Sequence, residues 1–155
     1  MLRTNRAADI EKVFAKYPTK RSAVMPLLYL AQAEYGYCSP EAIREVAELC
    51  ELDPTEVKSV TGFYTMFNES PTGKVILDVC DDLPCALRGA DAFMAHCESR
   101  LGIKAGETTA DGKFTLRSAM CLAACNRAPL LQANGDYHYD LTPESFDKLI
   151  DELGK

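Results

Sequence analysis

The sequence predicts an α/β (α+β) protein in two parts. Residues 1–70 read as a helical bundle, and residues 71–155 read as a four-stranded sheet with flanking helices. Three observations carry this prediction. Apolar residues recur at helical spacing through the first part, and cap residues followed by proline punctuate them. In the second part, short apolar runs alternate with one long amphipathic stretch. Between the two, composition changes at Asn68-Glu69-Ser70-Pro71-Thr72-Gly73, a turn-rich hinge.

Taken in order, Asp9 to Tyr17 carries Ile10, Val13 and Phe14 on one face, and Pro18 stops the helix. Ser22 is placed to cap the next helix, and Pro26 falls in its tolerant first turn. Val24, Leu27, Leu28, Leu30 and Ala31 form its apolar face, and Gly36 ends it. Ser39-Pro40-Glu41-Ala42 sets a cap residue before proline, and Ile43, Val46, Ala47 and Cys50 follow. Asp53-Pro54-Thr55-Glu56 repeats the device ahead of Val57, Val60 and Tyr64.

In the second part, Lys74 to Val79 is an apolar run centred on Val75-Ile76-Leu77 and predicts a buried strand ending at Cys80. Ala86 to Leu101 predicts a helix with Leu87, Ala90, Phe93, Met94 and Cys97 on one face, closed by Gly102. After the turn at Asp111-Gly112, Lys113 to Ala119 alternates Phe114, Leu116 and Ser118 with polar neighbours, a second strand running into Cys121. Pro129 to Ala133 and Tyr137 to Tyr139 flank Asn134-Gly135-Asp136, a hairpin signal. Thr142-Pro143-Glu144 caps a last helix with Phe146, Leu149, Ile150 and Leu153 apolar. The helical connection between the first two strands favours parallel pairing. The outline is thioredoxin-like.

Formal charge is −6, from 17 basic and 23 acidic residues, and no basic run stands out. Nucleic acid is therefore not an expected partner. No apolar stretch approaches the roughly 18 residues that span a bilayer. The opening Met1-Leu2-Arg3-Thr4-Asn5-Arg6 has no apolar signal core behind it. A soluble, intracellular chain without direct membrane insertion is expected. Glycine-rich phosphate loops, serine elbows and zinc-protease helices are absent.

Seven cysteines, an odd number, in a reducing compartment point to metal or free thiols rather than disulfides. Four stand in two loops, Cys80-Asp81-Asp82-Leu83-Pro84-Cys85 and Cys121-Leu122-Ala123-Ala124-Cys125, with 35 residues between them. Each loop follows a strand-like run, so both can meet at one end of the sheet. Two cysteine pairs suit a two-iron cluster, in which each tetrahedral iron takes two protein ligands. Zinc also takes four thiolates, but its structural knuckles usually use a two-residue spacing that neither loop has. Unligated thiols stay as the third reading. Cys85 would precede the helix starting at Ala86, whose free amides would then face the anionic site. Asp81 and Asp82 would lower a reduction potential if they face it. Arg88 and Arg127 read as solvated surface residues near the loops. Cys50 and Cys97 read as buried, inert thiols. Cys38 falls in a turn where exposure is possible. His96 and His138 lack ligand spacing and read as structural or surface residues.

The chain resembles the thioredoxin-like 2Fe-2S ferredoxin subunit of respiratory complex I, the NADH:quinone oxidoreductase. Tyr17-Pro18, Arg21-Ser22-Ala23-Val24-Met25-Pro26-Leu27-Leu28, Gly36-Tyr37 and Ser39-Pro40-Glu41-Ala42-Ile43 carry the resemblance in the first part. Thr61-Gly62-Phe63-Tyr64-Thr65-Met66-Phe67 and Pro71-Thr72-Gly73-Lys74 extend it. Leu87-Arg88-Gly89-Ala90, Met120-Cys121-Leu122-Ala123-Ala124-Cys125, Ala128-Pro129, Tyr137 and Leu141-Thr142-Pro143-Glu144 complete it. It implies one 2Fe-2S cluster, with Cys80 and Cys85 on one iron and Cys121 and Cys125 on the other. No catalytic residue is expected on the isolated chain. The implied partners are the flavin- and NADH-binding subunit and a neighbouring iron-sulfur subunit. The implied setting is cytoplasmic, peripheral to the inner membrane through the complex. Residues 1–70 would then be a docking domain and residues 71–155 the ferredoxin domain. The equivalent subunit of an NAD-linked hydrogenase or formate dehydrogenase is the alternative. Two positions depart from the family pattern: Asp81-Asp82 inside the first loop, and Ala123 where glycine is common.

Overall fold

Ser39, Asp53 and Thr142 each accept a hydrogen bond from a backbone amide of the helix they precede, and proline follows each of them. These caps start three of the helices in the computed structural model, which describes residues 1–155. The chain divides into two compact units, Met1–Pro71 and Thr72–Lys155.

The first unit is all helical: α1 (Leu2–Asn5), α2 (Ala7–Phe14), α3 (Val24–Tyr35), α4 (Pro40–Cys50) and α5 (Pro54–Phe63). Its core is built on Leu2, Leu27, Leu28, Val46 and Val57, all fully buried. Helix α1 was not expected. It is too short to show a period, yet Leu2 is its anchor, and the Leu2 amide donates to Glu45 Oε2 at 2.8 Å. The Tyr35 hydroxyl donates to the same oxygen at 2.8 Å. The expected cap at Ser22 is corrected. Thr19 accepts from the Ser22 amide and starts a 3-10 turn over Lys20–Ala23, and α3 follows with no side-chain cap. Gly36 ends α3 with φ 81°, which only glycine adopts freely.

The second unit contains β1 (Val75–Cys80), α6 (Leu83–Ala86), α7 (Ala90–Leu101), β2 (Phe114–Ala119), β3 (Leu131–Ala133), β4 (Asp136–His138) and α8 (Pro143–Leu153). The sheet runs β2-β1-β3-β4. β1 and β2 are parallel, with Cys80 opposite Ala119; β3 runs antiparallel to both β1 and β4. Leu77 and Val79 of β1 are buried among Leu116, Leu131, Phe93 and Phe146. The Phe93 and Phe146 rings meet edge to face at 5.5 Å, joining α7 to α8. Burying Phe146 completely is worth about 2–3 kcal/mol. Asn134 and Gly135 take positive φ, the two-residue hairpin turn that Asn-Gly favours. The Asn134 side chain also accepts from Ile76 N and donates to Lys74 O, fastening the turn to the start of β1. The outer edge of β2 is covered by the residues leading to it: Gly106 N donates to Leu116 O, and Leu116 N to Glu107 O.

One expected element is corrected. The helix predicted over Ala86–Leu101 is two helices, and Gly89, with φ 94°, separates α6 from α7. Leu87 falls in the break and is exposed rather than facing the core.

Candidate metal centre

The first cysteine loop is held from both ends. Cys80 is the last residue of β1, and Asp81 N donates to Ala119 O, carrying the ladder one residue further. The Asp82 carboxylate accepts from Leu83 N at 2.9 Å and caps α6. The Asp82 carbonyl accepts from the amides of Cys85 and Ala86 at 2.8 and 2.9 Å. Strand end and helix turn thereby aim two sulfurs at each other. The Cys85 thiol donates to Cys80 Sγ at 3.3 Å, and both residues are 1% exposed. Two thiolates on one tetrahedral metal, with sulfur bonds of about 2.3 Å, sit about 3.7 Å apart. The pair is therefore close to ligating distance.

The second loop is looser. Cys121 is exposed, and Cys125 is half-buried at the start of a 3-10 turn over Cys125–Arg127. Ala123 takes φ 56°, the left-handed conformation that costs a non-glycine residue about 1–2 kcal/mol. Glycine was the residue expected here from the resemblance, and the backbone keeps the glycine-like conformation without it. Tyr137 donates its hydroxyl to Leu122 O at 2.8 Å and stacks on Tyr139 at 5.3 Å.

The two loops meet. Leu122 and Ala124 of the second pack against the cluster formed by Cys80, Cys85, Ala90, Ala128 and Leu130. Arg88 Nε donates to Ala128 O at 3.2 Å, tying the end of the first loop to the segment after the second. Neither arginine near the loops is simply solvated. Arg127 pairs with Asp140 at 2.6 Å and lies 4.3 Å over the Tyr139 ring.

Electrostatics sharpen the chemistry. Burial pushes the Cys85 thiol up to about 12, and the Cys80 sulfur beside it and the charges of Cys125 and Asp82 add to the rise. Adjacent thiolates here repel unless a cation lies between them, and a bound metal supplies that charge and deprotonates its ligands. Two cysteine pairs on two loops match the need of a two-iron cluster, in which each iron takes two protein ligands. The donor set is four sulfurs on two loops, one pair closed and buried, and it fits the cluster.

The structure changes two details of the expected site. The helix N-terminus at Ala86 is not free to face the sulfurs, because Asp82 caps a four-residue helix that contains Cys85. The sequence Asp82-Leu83-Pro84 carries a related cap-and-proline signal, with proline one position later than at the other helix starts. Asp81 has one oxygen held by the Ser118 hydroxyl and the other buried with no hydrogen-bond partner. The three remaining cysteines lie elsewhere. Cys38, Cys50 and Cys97 are buried, and desolvation pushes them up to about 11, 11 and 12. Cys38 is thus not exposed; its thiol donates to Gln32 Oε1 at 3.7 Å. His96 pairs with Asp147 at 2.9 Å, joining α7 to α8.

Known proteins are similar to this chain in sequence and in fold. An NADH-quinone oxidoreductase subunit of Rickettsia felis is 49% identical over 151 residues, covering 96% of this chain and 89% of the relative. The corresponding NADH-quinone oxidoreductase subunit of Rhizobium meliloti is 41% identical over 145 residues, covering 94% and 86%. In fold, 83% of the chain superposes on 22% of a chain of an NAD+-reducing [NiFe]-hydrogenase, with a TM-score of 0.72 and 23% identity. The family model described as Thioredoxin-like [2Fe-2S] ferredoxin matches residues 10–154, which include all four loop cysteines. On that match and those identities, the chain belongs to the thioredoxin-like 2Fe-2S ferredoxin family.

Proposed function

We propose that this chain is the electron-transfer subunit of an NADH:quinone oxidoreductase, in the peripheral arm of complex I. Cys80 and Cys85 ligate one iron of a single 2Fe-2S cluster, and Cys121 and Cys125 ligate the other. When bound, such a cluster supplies a one-electron carrier. The protein's part is to hold the four sulfurs, bury one pair and leave the other near the surface. Single electrons are exchanged with the flavin of a partner NADH-binding subunit, and a neighbouring iron-sulfur subunit is the second partner. Residues 1–70 act as the docking domain and residues 71–155 as the ferredoxin domain. The isolated chain carries no complete active site. The setting is the cytoplasmic face of the inner membrane, reached through the complex; no helix is long and apolar enough to cross a membrane.

The observation that carries the ligand reading is the buried Cys80–Cys85 pair at 3.3 Å, with the second loop packed against it. The choice of host is supported by identities of 41 and 49% to NADH-quinone oxidoreductase subunits. Electron paramagnetic resonance on the dithionite-reduced chain, with iron and sulfide counted, tests the cluster. Serine at Cys80, Cys85, Cys121 or Cys125 should each perturb or remove the signal, while Cys50→Ala and Cys97→Ala keep it. Equal iron loss in all six variants would show the ligands to be misassigned.

A further inference from the structure

We propose that Leu83, Leu87 and Met120 form an apolar collar by which the second unit docks onto its electron-exchange partner, and that the partner's matching face is apolar with a lysine and arginine rim. The proposal rests on the electron-transfer reading above and names the surface that serves it.

The large apolar side chains exposed in this unit are Leu83 (70%), Leu87 (81%), Met120 (79%), Tyr137 (40%) and Leu153 (37%). Exposed leucines scattered over a surface need no explanation. Apart from Leu153, at the end of α8, these are not scattered. Leu83 and Leu87 flank Cys85 two residues on either side, Met120 adjoins Cys121, and Tyr137 is bonded to the second loop. Leu83 and Leu87 are four residues apart across α6 and its cap, so they share a face. The pairing of Cys80 with Ala119 sets Met120 beside the start of the first loop. The packing of the loops is satisfied without these three side chains, since Leu122, Ala124, Ala90 and Leu130 fill it. A concentrated apolar patch of this kind marks an interaction surface.

Charge selects the occupant. Asp82 and Asp91 stand on the same segment and neither pairs with a cation, whereas Asp78 and Asp140 are paired with Arg117 and Arg127. Thiolate ligands would add further negative charge. The only cation on the segment, Arg88, has its Nε directed to Ala128 O. A second copy of this chain, with formal charge −6, would bring the same acidic rim against it. A partner with basic residues around an apolar centre does not meet that repulsion.

The test uses the cluster-loaded full chain titrated against the purified flavin-binding subunit of an NADH-quinone oxidoreductase. Variants are Leu83→Ser with Leu87→Ser, Met120→Gln, and Asp91→Lys. Each should keep the cluster spectrum. The leucine pair and the methionine variant should each bind roughly tenfold more weakly. Asp91→Lys should slow association at low salt, with the difference vanishing at high salt. If Leu83→Ser disturbs α6, Leu87→Ser alone and Met120→Gln carry the test. Full affinity in spectrally intact variants overturns the collar and leaves the electron-transfer reading standing. A wild-type chain that does not bind the flavin subunit overturns both. A wild-type dimer that the leucine variants break, with no flavin-subunit binding, assigns the collar to a second copy and overturns the proposal.

Discussion

The two cysteine loops sit at the same end of one sheet and are built in opposite ways. The first grows out of a strand, closes with a capped helical turn and buries both sulfurs. The second leaves its strand through the exposed Met120, passes a left-handed alanine and keeps Cys121 in solvent. The first is thus shaped by the fold before any metal arrives. The second is held by the Tyr137 hydroxyl, by Arg88 on the segment just after it, and by the packing of its own Leu122 and Ala124. Such a site joins a preformed half to an adaptable half. Metal binding then supplies ordering energy mostly to the latter.

That contrast can be broken experimentally, and the largest effect is expected in amide exchange. Loading the cluster should slow exchange across residues 121–128 by about tenfold or more, while β1 amides barely change. Equal protection in both loops would remove the asymmetry. Next, Arg88→Ala removes the tie to Ala128 and should destabilise the second unit by about 1 kcal/mol in a denaturant titration. It should also hasten cluster loss, read as bleaching of the visible spectrum. Ala123→Gly relieves the left-handed backbone at some cost in chain entropy. A gain of about 0.5–1 kcal/mol is expected, seen as a Tm a few degrees higher. A lower Tm would show that the alanine side chain has packing value there. The smallest effect probes the first loop's charge. Asp81→Asn with Asp82→Asn should raise the reduction potential by tens of millivolts, read by protein-film voltammetry. An unchanged potential would mean that neither carboxylate's charge reaches the cluster.

Much of this arrangement was readable in the residues. Ser39-Pro40, Asp53-Pro54 and Thr142-Pro143 place helix starts because cap and proline act locally, and Asn134-Gly135 places a hairpin for the same reason. The four cysteines stood out through spacing, and the parallel β1–β2 pairing through the helix between those strands. The break at Gly89 did not show. Leu87, Ala90, Phe93 and Met94 keep a helical period across it, and a glycine inside a helix is only mildly unfavourable. The break is accompanied by a non-local contact that no local pattern shows: Arg88 reaches a carbonyl 40 residues away. The burial of Leu2 and the role of Thr19 were missed because a four-residue element has no period to read. Asp82 as a cap could have been found, since an acidic cap residue with proline in the first turn resembles the other helix starts.

The covering of β2 bears on what the chain does before it meets a partner. Residues 106–109 occupy the free side of that strand, and β4, at the other margin, is three residues long. A second molecule finds no long row of open amides and carbonyls to extend. The exposed leucines near the cysteines are then separated from the backbone template that turns sticky surfaces into fibrils. An unassembled copy has a safeguard against irreversible strand addition while its apolar rim stays available for a reversible encounter.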